Sequence, residues 1–311
     1  MQYFSGAGLS LDLREVNRAV EAAFADHGMG LVQMPPKVYI TLPGGDFRTM
    51  PAYLPSAKIA GVKIVNVHPD NPKKGLPTVM ALTVILDIAT GRPLALLNAT
   101  RLTDIRTGAA GAVAARYLSR KKTITLGVAG TGRQAGAQVR ATAEELEIEQ
   151  ILIWSRTTRH AEKFRTDMKQ YDCRVVSLEQ ACNADVIVTT TPSRSPIIRS
   201  EWVHAGTHIN AIGADAPGKQ ELDPALLLRA QVFVDDMAQA VHSGEVNVPI
   251  TNGSYSPEKI AGTLGEVVIG KKRRTDPDAI TIFDSTGLAI QDLAIAAMVM
   301  REGSSIDLPF P

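Results

Sequence analysis

The first third of the chain changes from a helical to an extended pattern of apolar residues. In residues 11–27 apolar side chains recur every three or four positions, which places them on one face of a helix, and two glycines follow closely. Residues 37–99 form β-rich runs interrupted by turns that contain proline or glycine. The pattern predicts strands at 38–42, 61–67 and 79–87. We therefore expect an α+β segment in which one helix precedes a mostly consecutive sheet.

The rest of the chain alternates between short apolar runs and helical patterns. A helix is predicted at 103–118, and the basic run at 119–122 marks a boundary. Beyond it the pattern predicts strands at 123–129, 150–154, 175–176, 186–190, 208–212, 232–234 and 280–283, and helices at 134–146 and 161–170. This alternation is typical of a doubly wound, largely parallel sheet, which is the α/β Rossmann class.

Two domains are expected, because 311 residues correspond to two domains of roughly 150 residues each. The first is the α+β domain at residues 1–119, and the second is the Rossmann domain at residues 120–291. A last predicted helix at 287–301 follows the Rossmann pattern. We expect residues 292–311 to return to the first domain.

Composition and charge exclude several classes of function. Lys plus Arg total 33 and Asp plus Glu total 32, and the net charge of +1 gives no reason to expect a nucleic-acid or membrane-surface partner. Apolar residues make up 45% of the chain and charged residues 21%, as in a soluble globular protein. The sequence has neither a signal-peptide pattern nor an apolar run of the roughly 20 residues that a spanning helix needs. We therefore expect a cytoplasmic protein.

The chain contains two cysteines, Cys173 and Cys182. They are too few for a disulfide framework or for a zinc site, which needs about four ligands. We expect buried thiols in a reducing compartment, and no metal.

A glycine motif joins a predicted strand to a predicted helix. The strand at 123–129 leads directly into the G-x-G-x-x-A pattern of Gly130-Thr131-Gly132-Arg133-Gln134-Ala135. The first glycine permits a tight turn, the second leaves room for a pyrophosphate, and the alanine lets the helix pack closely on the strand. The start of the helix offers N–H groups to the phosphates. In this context the motif predicts a dinucleotide cofactor, and the alternative is a glycine turn in a Rossmann-like domain without a ligand.

The end of the second Rossmann strand favours one dinucleotide over the other. An NAD site usually places an acidic residue there to bind the ribose hydroxyls. Here the strand at 150–154 is followed by Ser155-Arg156-Thr157-Thr158-Arg159, which contains no carboxylate. Serine, threonine and arginine side chains can instead bind a 2′-phosphate. We therefore predict NADP(H), with NAD(H) as the second choice, unless the two arginines are merely solvated surface charges.

Four charged residues are candidates for chemistry on a small amino-acid-like substrate. Lys63 lies inside an otherwise apolar strand, and Arg48 and Arg106 lie in segments around the predicted strands. Asp215 follows the strand at 208–212, at the sheet edge where ligands collect in such folds. Each residue also has a plainer interpretation, the cations as surface charges and Asp215 as a turn residue beside a Pro-Gly pair.

Several sequence blocks resemble the ornithine cyclodeaminase/mu-crystallin family, in the family's own order and over most of the chain. They include residues 60–69, residues 75–78, Arg106-Thr107-Gly108-Ala109-Ala110, the glycine motif at 130–135, residues 213–219 and Asp284-Ser285-Thr286-Gly287. Within the family, residues 189–194, 206–210 and 284–292 are most similar to the archaeal-type alanine dehydrogenase branch.

The resemblance implies a homodimer whose first domain builds both the dimer interface and the substrate site. Arg48, Lys63 and Arg106 would bind the substrate carboxylate, and Thr78 would help to line the pocket. Lys63 would also polarise the C=N or C=O bond, and Asp215 would be the acid/base. The cofactor-binding residues that it implies are Thr107, Gly130, Thr131, Gly132, Arg133, Gln134, Ala135, Ser155, Arg156, Thr157, Thr190, Thr191, Ser285 and Gly287.

The implied activity is that of an NAD(P)-dependent oxidoreductase that interconverts a small L-amino acid and its imine or 2-oxo acid. The substrate pair stays open between pyruvate with alanine and a cyclic ketimine, such as Δ1-pyrroline-2-carboxylate, with proline. One alternative is an ornithine cyclodeaminase, which releases ammonia and recycles NAD internally. Another is a non-catalytic protein of mu-crystallin type that binds NADPH and a small ligand. Arg156 and Gln291 stand where cyclodeaminases typically have acidic residues, which weakens the cyclodeaminase interpretation.

Overall fold

A computed structural model describes residues 1–6 and 8–310. The chain forms two compact units. Unit 1 consists of Met1–Arg106 together with Leu288–Pro311, and unit 2 consists of Thr107–Gly287. The functional division into a substrate and dimerisation domain at 1–119 with 292–311, and a dinucleotide domain at 120–291, stays a prediction.

The strands follow one another along the described residues. In chain order they are β1 (Gln2–Phe4), β2 (Val38–Leu42), β3 (Gly45–Leu54), β4 (Ile59–Val67), β5 (Val79–Leu86), β6 (Pro93–Asn98), β7 (Thr123–Ala129), β8 (Glu147–Trp154), β9 (Cys173–Val175), β10 (Val186–Thr189), β11 (Arg194–Ile198), β12 (His208–Ala211), β13 (Gln220–Leu222), β14 (Ala230–Val234), β15 (Ile260–Thr263), β16 (Ile280–Asp284) and β17 (Ile306–Asp307).

The α-helices range from one to five turns. In chain order they are α1 (Leu13–Gly28), α2 (Thr100–Leu118), α3 (Arg133–Thr142), α4 (Thr158–Asp167), α5 (Leu178–Cys182), α6 (Pro224–Leu228), α7 (Met237–Ser243), α8 (Asn247–Thr251), α9 (Leu264–Val268) and α10 (Ala289–Glu302). Short 3-10 turns lie at Asn71–Lys74, Ser200–Trp202 and Pro257–Lys259.

Unit 1 is a sheet with helices on one face. Its strand order is β17-β1-β6-β5-β4-β3-β2, and β2 to β6 pair antiparallel in sequence order. Residues alternate between buried and less buried along β3 and β4, as expected for a sheet covered on one side. Helix α10 packs against β3, β4 and β5, and α1 packs against α10. The predicted α+β segment therefore has its core between the sheet and these helices.

In unit 1 the strands β1, β3, β6 and β17 were missed from the sequence. Residues 43–45 were expected to form a turn between strands, whereas β3 begins at Gly45 and runs for ten residues. Its buried positions start with Arg48, followed by Met50, Ala52 and Leu54. A charged side chain on the buried face and a proline at position 51 conceal the alternation that identifies a strand.

Unit 2 is a parallel α/β sheet, and the predicted fold class is confirmed. The strand order is β15-β14-β16-β12-β10-β7-β8-β9, and every pair of neighbours is parallel. The chain runs from β7 outward through β8 and β9, and then returns to β10 on the other side of β7. This reversal between β7 and β10 is the topological switch point at which such sheets bind ligands. All four residues of β10 are buried, as expected for a central strand covered on both faces.

Two further predictions concern membranes and thiols. Within residues 1–6 and 8–310, no helix combines the length and the apolarity that a membrane crossing requires. Cys173 and Cys182 are both free thiols. Cys182 is buried, and this burial raises its pKa to about 12, so the thiol stays neutral and unreactive at physiological pH.

Candidate functional site

The predicted glycine motif forms the turn between β7 and α3. Gly130 has a φ of 98°, and a Cβ there would lie 2.9 Å from Thr191 Cγ2, so only glycine fits. Gly132 is the N-cap residue of α3, and a Cβ there would meet no atom within 4 Å in the described part of the chain. Because its N-cap residue is a glycine, α3 has no N-cap side chain between its first turn and a ligand. This arrangement fits a dinucleotide pyrophosphate.

Further predicted cofactor residues follow β10 and β16 at the same sheet edge. Thr190 Oγ1 donates to the Gly130 carbonyl at 3.1 Å, which ties the segment after β10 to the glycine turn. Ser285 Oγ is buried and has no hydrogen-bond partner in the described residues, so it can accept or donate to a bound ligand. On α2, the Thr107 carbonyl accepts a hydrogen bond of 2.8 Å from Gln138 Nε2 on α3.

The predicted nucleotide-specificity residues lie at the carboxyl end of β8. Ser155 is half-buried, whereas Arg156 and Thr157 are exposed. Thr157 is the N-cap residue of α4. On α3, Arg133 is exposed as well, and Ala135 is fully buried against the sheet, as the motif requires. The cation at the strand tip is therefore open to an anionic group from solvent, and its part in cofactor choice stays a prediction.

A buried cluster in unit 1 joins Lys63 and Arg106 to one carboxylate. Lys63 on β4 donates from Nζ to Asp292 Oδ1 at 2.8 Å and lies 2.8 Å from Oδ2. Arg106 on α2 donates from Nε to the same Oδ1 at 2.9 Å and from Nη1 to Gln291 Oε1 at 2.7 Å. Lys63 is 1% exposed, Arg106 5% and Asp292 3%. The interpretation of these two cations as surface charges is therefore wrong.

The electrostatic balance of this cluster favours a weakly held proton on Lys63. Burial of the ammonium and the nearby Arg106 lower the pKa of Lys63 from 10.5 to about 7, against the opposing effect of Asp292. Thr83 on β5 lies directly opposite Lys63 and is also buried. Two cations thus share one carboxylate in a site with little water. Such a site has a net affinity for a further anion and can supply or withhold a proton near neutral pH.

Arg48 and Thr78 have partners outside the cluster of Lys63, Arg106 and Asp292. Arg48 is buried on the same sheet face as Lys63, because it pairs with Val65, two residues along β4. Diagonal neighbours of this kind are about 7–8 Å apart. The Arg48 guanidinium donates from Nε to Asp46 Oδ1 at 2.8 Å and lies 5.1 Å from the centre of the Tyr39 ring. Thr78 is half-buried just before β5, and its carbonyl accepts from the His68 N–H at 2.8 Å.

In unit 2, Asp215 is half-buried in the segment after β12. Lys219 Nζ donates to Asp215 Oδ1 at 2.5 Å, and the Asp215 N–H donates to the Gly213 carbonyl at 3.2 Å. The Asp215 side chain is 36% exposed, so it can exchange a proton with a ligand or with solvent. The interpretation of Asp215 as a plain turn residue does not account for this ion pair.

Three buried polar residues around these groups were assigned no site role from the sequence. Asp292 and Gln291 are a charged and an amide residue at the start of α10, most of which is apolar, and this contrast was the available signal. Gln291 Nε2 is buried and has no hydrogen-bond partner among the described residues. Glu221 is fully buried and holds the segments after β10 and β12. Glu221 lies in a short strand of mixed polar and apolar residues, and such a strand has no pattern that would predict a buried carboxylate.

Comparison with known families and proteins gives consistent matches over almost the whole chain. The profile of the ornithine cyclodeaminase/mu-crystallin family matches residues 4–305. An alanine dehydrogenase from Archaeoglobus fulgidus is 47% identical over 298 residues, which cover 95% of this chain and 92% of that protein.

Two solved structures are similar in fold as well as in sequence. One is an archaeal alanine dehydrogenase dimer with bound NAD, with a TM-score of 0.91 and 46% identity, covering 96% of this chain and 95% of that chain. The other is the Δ1-pyrroline-2-carboxylate reductase of Thermococcus litoralis in complex with NADH and L-proline. Its TM-score is 0.94 and its identity 32%, covering 99% of this chain and 100% of that chain. The predicted enzyme class, an oxidoreductase, is confirmed by these relatives.

Proposed function

Since the chain belongs to the ornithine cyclodeaminase/mu-crystallin family, we propose that it interconverts a small L-amino acid and its imine or 2-oxo acid with a nicotinamide dinucleotide. The observation that carries this proposal is the buried cluster of Lys63, Arg106 and Asp292. A pair of buried cations on one carboxylate is suited to an anionic substrate, and all the substrates considered carry a carboxylate.

The residues of unit 1 bind and polarise the substrate. Arg106 and Arg48 bind its carboxylate, since a guanidinium matches the two oxygens of a carboxylate. Lys63 also contacts the nitrogen or oxygen of the reacting double bond, because an ammonium with a pKa of about 7 can donate a proton readily. Thr78 lines the pocket.

In unit 2, Asp215 moves the remaining proton or activates water, with Lys219 as its ionic partner. The nicotinamide, when bound, supplies or accepts the hydride. The segments after β7, β10 and β16 hold the cofactor through the glycine turn, Thr190, Thr191 and Ser285 to Gly287. Thr107 on α2 supports the phosphates from the neighbouring helix.

We propose that NADP(H) is preferred and that NAD(H) is the weaker cofactor. The relatives have NAD or NADH bound, which supports a nicotinamide dinucleotide as the cofactor. The preference rests on Arg156, an exposed cation at the tip of β8, in a segment without a carboxylate. Ser155 and Thr157 on either side add hydroxyl donors for a 2′-phosphate.

The decisive experiment is a steady-state substrate panel measured with NADPH and with NADH. Cofactor oxidation with pyruvate and ammonia identifies an alanine dehydrogenase, and oxidation with Δ1-pyrroline-2-carboxylate identifies a ketimine reductase. Ammonia release from ornithine at constant NADPH would overturn the proposal in favour of a cyclodeaminase. Cofactor binding without turnover of any substrate would indicate a binding protein of mu-crystallin type. A clear preference for NADH would contradict the role of Arg156.

We also propose a homodimer that forms through the uncovered face of the unit 1 sheet. Val38, Thr49, Ile64 and Leu82 are successive cross-strand neighbours on that face. Three of them are apolar and exposed, by 54% at Val38, 40% at Ile64 and 44% at Leu82. A contiguous apolar sheet face of this kind is characteristic of an interface. A monomeric molar mass in solution would contradict the dimer.

The free cysteines support a reducing compartment such as the cytoplasm.

A further inference from the structure

Three of the fully buried carboxylates in unit 2 form a series in which each accepts from backbone N–H groups. Asp284 accepts from the N–H groups of Glu245 at 2.8 Å and Val246 at 3.2 Å. Glu245 in turn accepts from the N–H groups of Glu221 and Leu222. Asp284 thus fixes the backbone of Glu245, and Glu245 fixes the backbone of Glu221. The series ends at Glu221, whose carboxylate contacts the predicted cofactor segment at Thr191 and the Asp215 segment at Gly213.

Glu221 connects the ends of two neighbouring strands with both of its oxygens. Oε1 accepts from the Thr191 N–H at 2.6 Å. Oε2 accepts from the Gly213 N–H at 2.9 Å and from Thr189 Oγ1 at 2.6 Å. Thr191 follows β10, and Gly213 follows β12, two residues before Asp215. A Cβ on Gly213 would overlap both the Thr191 carbonyl and the Glu221 carboxylate, so the two segments approach as closely as their backbones allow.

We propose that Glu221 is a positioning residue, which holds the cofactor segment at Thr191 and the Asp215 segment at Gly213 in a fixed relation. The proposal rests on the function proposed above, because it assigns Asp215 to proton transfer. Glu221 contacts neither the substrate nor the reacting atoms. It acts through the two backbone segments, whose N–H groups cannot turn away as side chains can.

Burying a carboxylate at position 221 costs free energy, and the hydrogen bonds to both of its oxygens offset this cost. Burial raises the pKa of Glu221, and its hydrogen bonds with Thr189, Thr191 and Gly213 act in the opposite direction. A glutamine has the same shape without the cost of burying a charge, but it offers only one acceptor oxygen. Its NH₂ group would face either the Thr191 N–H or the Gly213 N–H. Only an acidic side chain of this length therefore holds both segments.

The chain supplies a matched control in Glu245. It is as fully buried as Glu221 and belongs to the same series. Both of its oxygens accept from the Glu221 N–H, at 2.9 Å and 3.0 Å, and Oε1 also accepts from the Leu222 N–H at 2.6 Å. A glutamine at position 245 with its carbonyl oxygen in the Oε1 position loses the 3.0 Å contact but keeps an acceptor for both N–H groups. The two Glu→Gln substitutions therefore differ in whether each backbone N–H keeps an acceptor.

The test compares Glu221→Gln with Glu245→Gln in the full-length protein. Binding is followed by titration of NADPH fluorescence, and turnover is measured with the substrate that the panel identifies, as kcat, KM and the pH profile of kcat. We expect Glu221→Gln to lower kcat by about 10²-fold, as displacements of about 1 Å do, and to weaken NADPH binding by about tenfold. The part of its kcat–pH profile that reports proton transfer by Asp215 should shift by about half a pH unit or more. Glu245→Gln should stay within about threefold of the unaltered protein in every parameter.

The proposal would be overturned if the two variants lost equal activity. It would also be overturned if Glu221→Gln kept both its kcat and the pH dependence of its kcat. If Glu221→Gln does not fold, Gly213→Ala breaks the same contact from the other side and should show the same loss of kcat with the same shift of the kcat–pH profile. A Gly213→Ala protein with unchanged kcat would also overturn it. If the unaltered protein turns over no substrate of the panel, the proposed function fails. The NADPH titration then still decides whether Glu221, unlike Glu245, positions the cofactor segment.

Discussion

Lys63 in unit 1 and Glu221 in unit 2 are both fully buried charges, but their partners differ in kind. Lys63 is balanced by the side chain of Asp292, which it shares with Arg106. Glu221 is balanced mainly by the backbone N–H groups of Thr191 and Gly213. Side-chain partners can change rotamer when a ligand arrives, whereas backbone partners move only with their whole segment. The comparison separates groups that exchange partners during a reaction from groups that keep the site in shape.

The two regions also differ in how their buried charges are compensated. When Lys63 is protonated, the unit 1 cluster has two cations for one carboxylate, so an anionic ligand lowers its electrostatic energy. In the unit 2 series, Glu245 and Asp284 accept from backbone N–H groups, whose dipoles stabilise the buried carboxylates. Asp215 stands between these cases, because its backbone follows the Gly213 contact while its side chain pairs with Lys219.

The largest effect is expected from Asp215→Asn. The amide keeps the shape of the carboxylate but cannot accept a proton, so turnover should fall by about 10²–10⁴-fold. Because the partly exposed side chain does not support the core, NADPH affinity and the free energy of unfolding should stay nearly unchanged. Steady-state kinetics, NADPH titration and urea unfolding measure the three quantities. A loss of turnover below about tenfold would contradict the assignment of Asp215 as the acid/base.

A second large effect is expected from Asp292→Ala. Removing the shared carboxylate leaves Lys63 and Arg106 buried without their anion, which should lower the free energy of unfolding by about 3–5 kcal/mol. The control is Asp292→Asn, whose amide oxygen can still accept from Arg106 Nε and which should therefore lose less stability. Urea unfolding of the three proteins at one pH gives the comparison. Equal stability of the alanine variant and the unaltered protein would show that the cluster does not depend on Asp292.

The sequence predicted those parts of the molecule that depend on local patterns. The G-x-G-x-x-A turn, the alternation that follows it and the helix at α1 are all encoded by residues close together in the chain. The family resemblance supplied Lys63, Arg106 and Asp215 as site residues, and the structure places the first two on one carboxylate. The sequence placed Lys63 in an otherwise apolar strand but left open whether its side chain points inward, and the strand β3 beside it was missed.

The partners of these residues were beyond sequence reasoning because they come from distant parts of the chain. Asp292 is 229 positions from Lys63, and Glu221 lies 30 positions from Thr191. Which carboxylate reaches which cation depends on how helices and strands pack, and residue periodicity carries no such information. Glu221 is also preceded by Gln220 and followed by Leu222 in a strand of only three residues, too short for a pattern.

The prediction most specific to Lys63 is a pH dependence of stability. With a pKa of about 7 in the folded protein and 10.5 as its ordinary value, Lys63 is protonated in both states below pH 7. Between these two values the unfolded chain holds a proton that the folded protein has released. Lys63 therefore makes stability rise with pH across this window, by at most about 1.4 kcal/mol per pH unit. In Lys63→Met, whose unbranched side chain is slightly shorter and has no titrating group, this rise should disappear. Urea unfolding of both proteins from pH 6 to 10 measures it, since the other groups titrate in both and cancel in the difference. If the difference in unfolding free energy between the two proteins is constant across this range, Lys63 is not the buried, easily deprotonated group that the cluster with Arg106 and Asp292 implies.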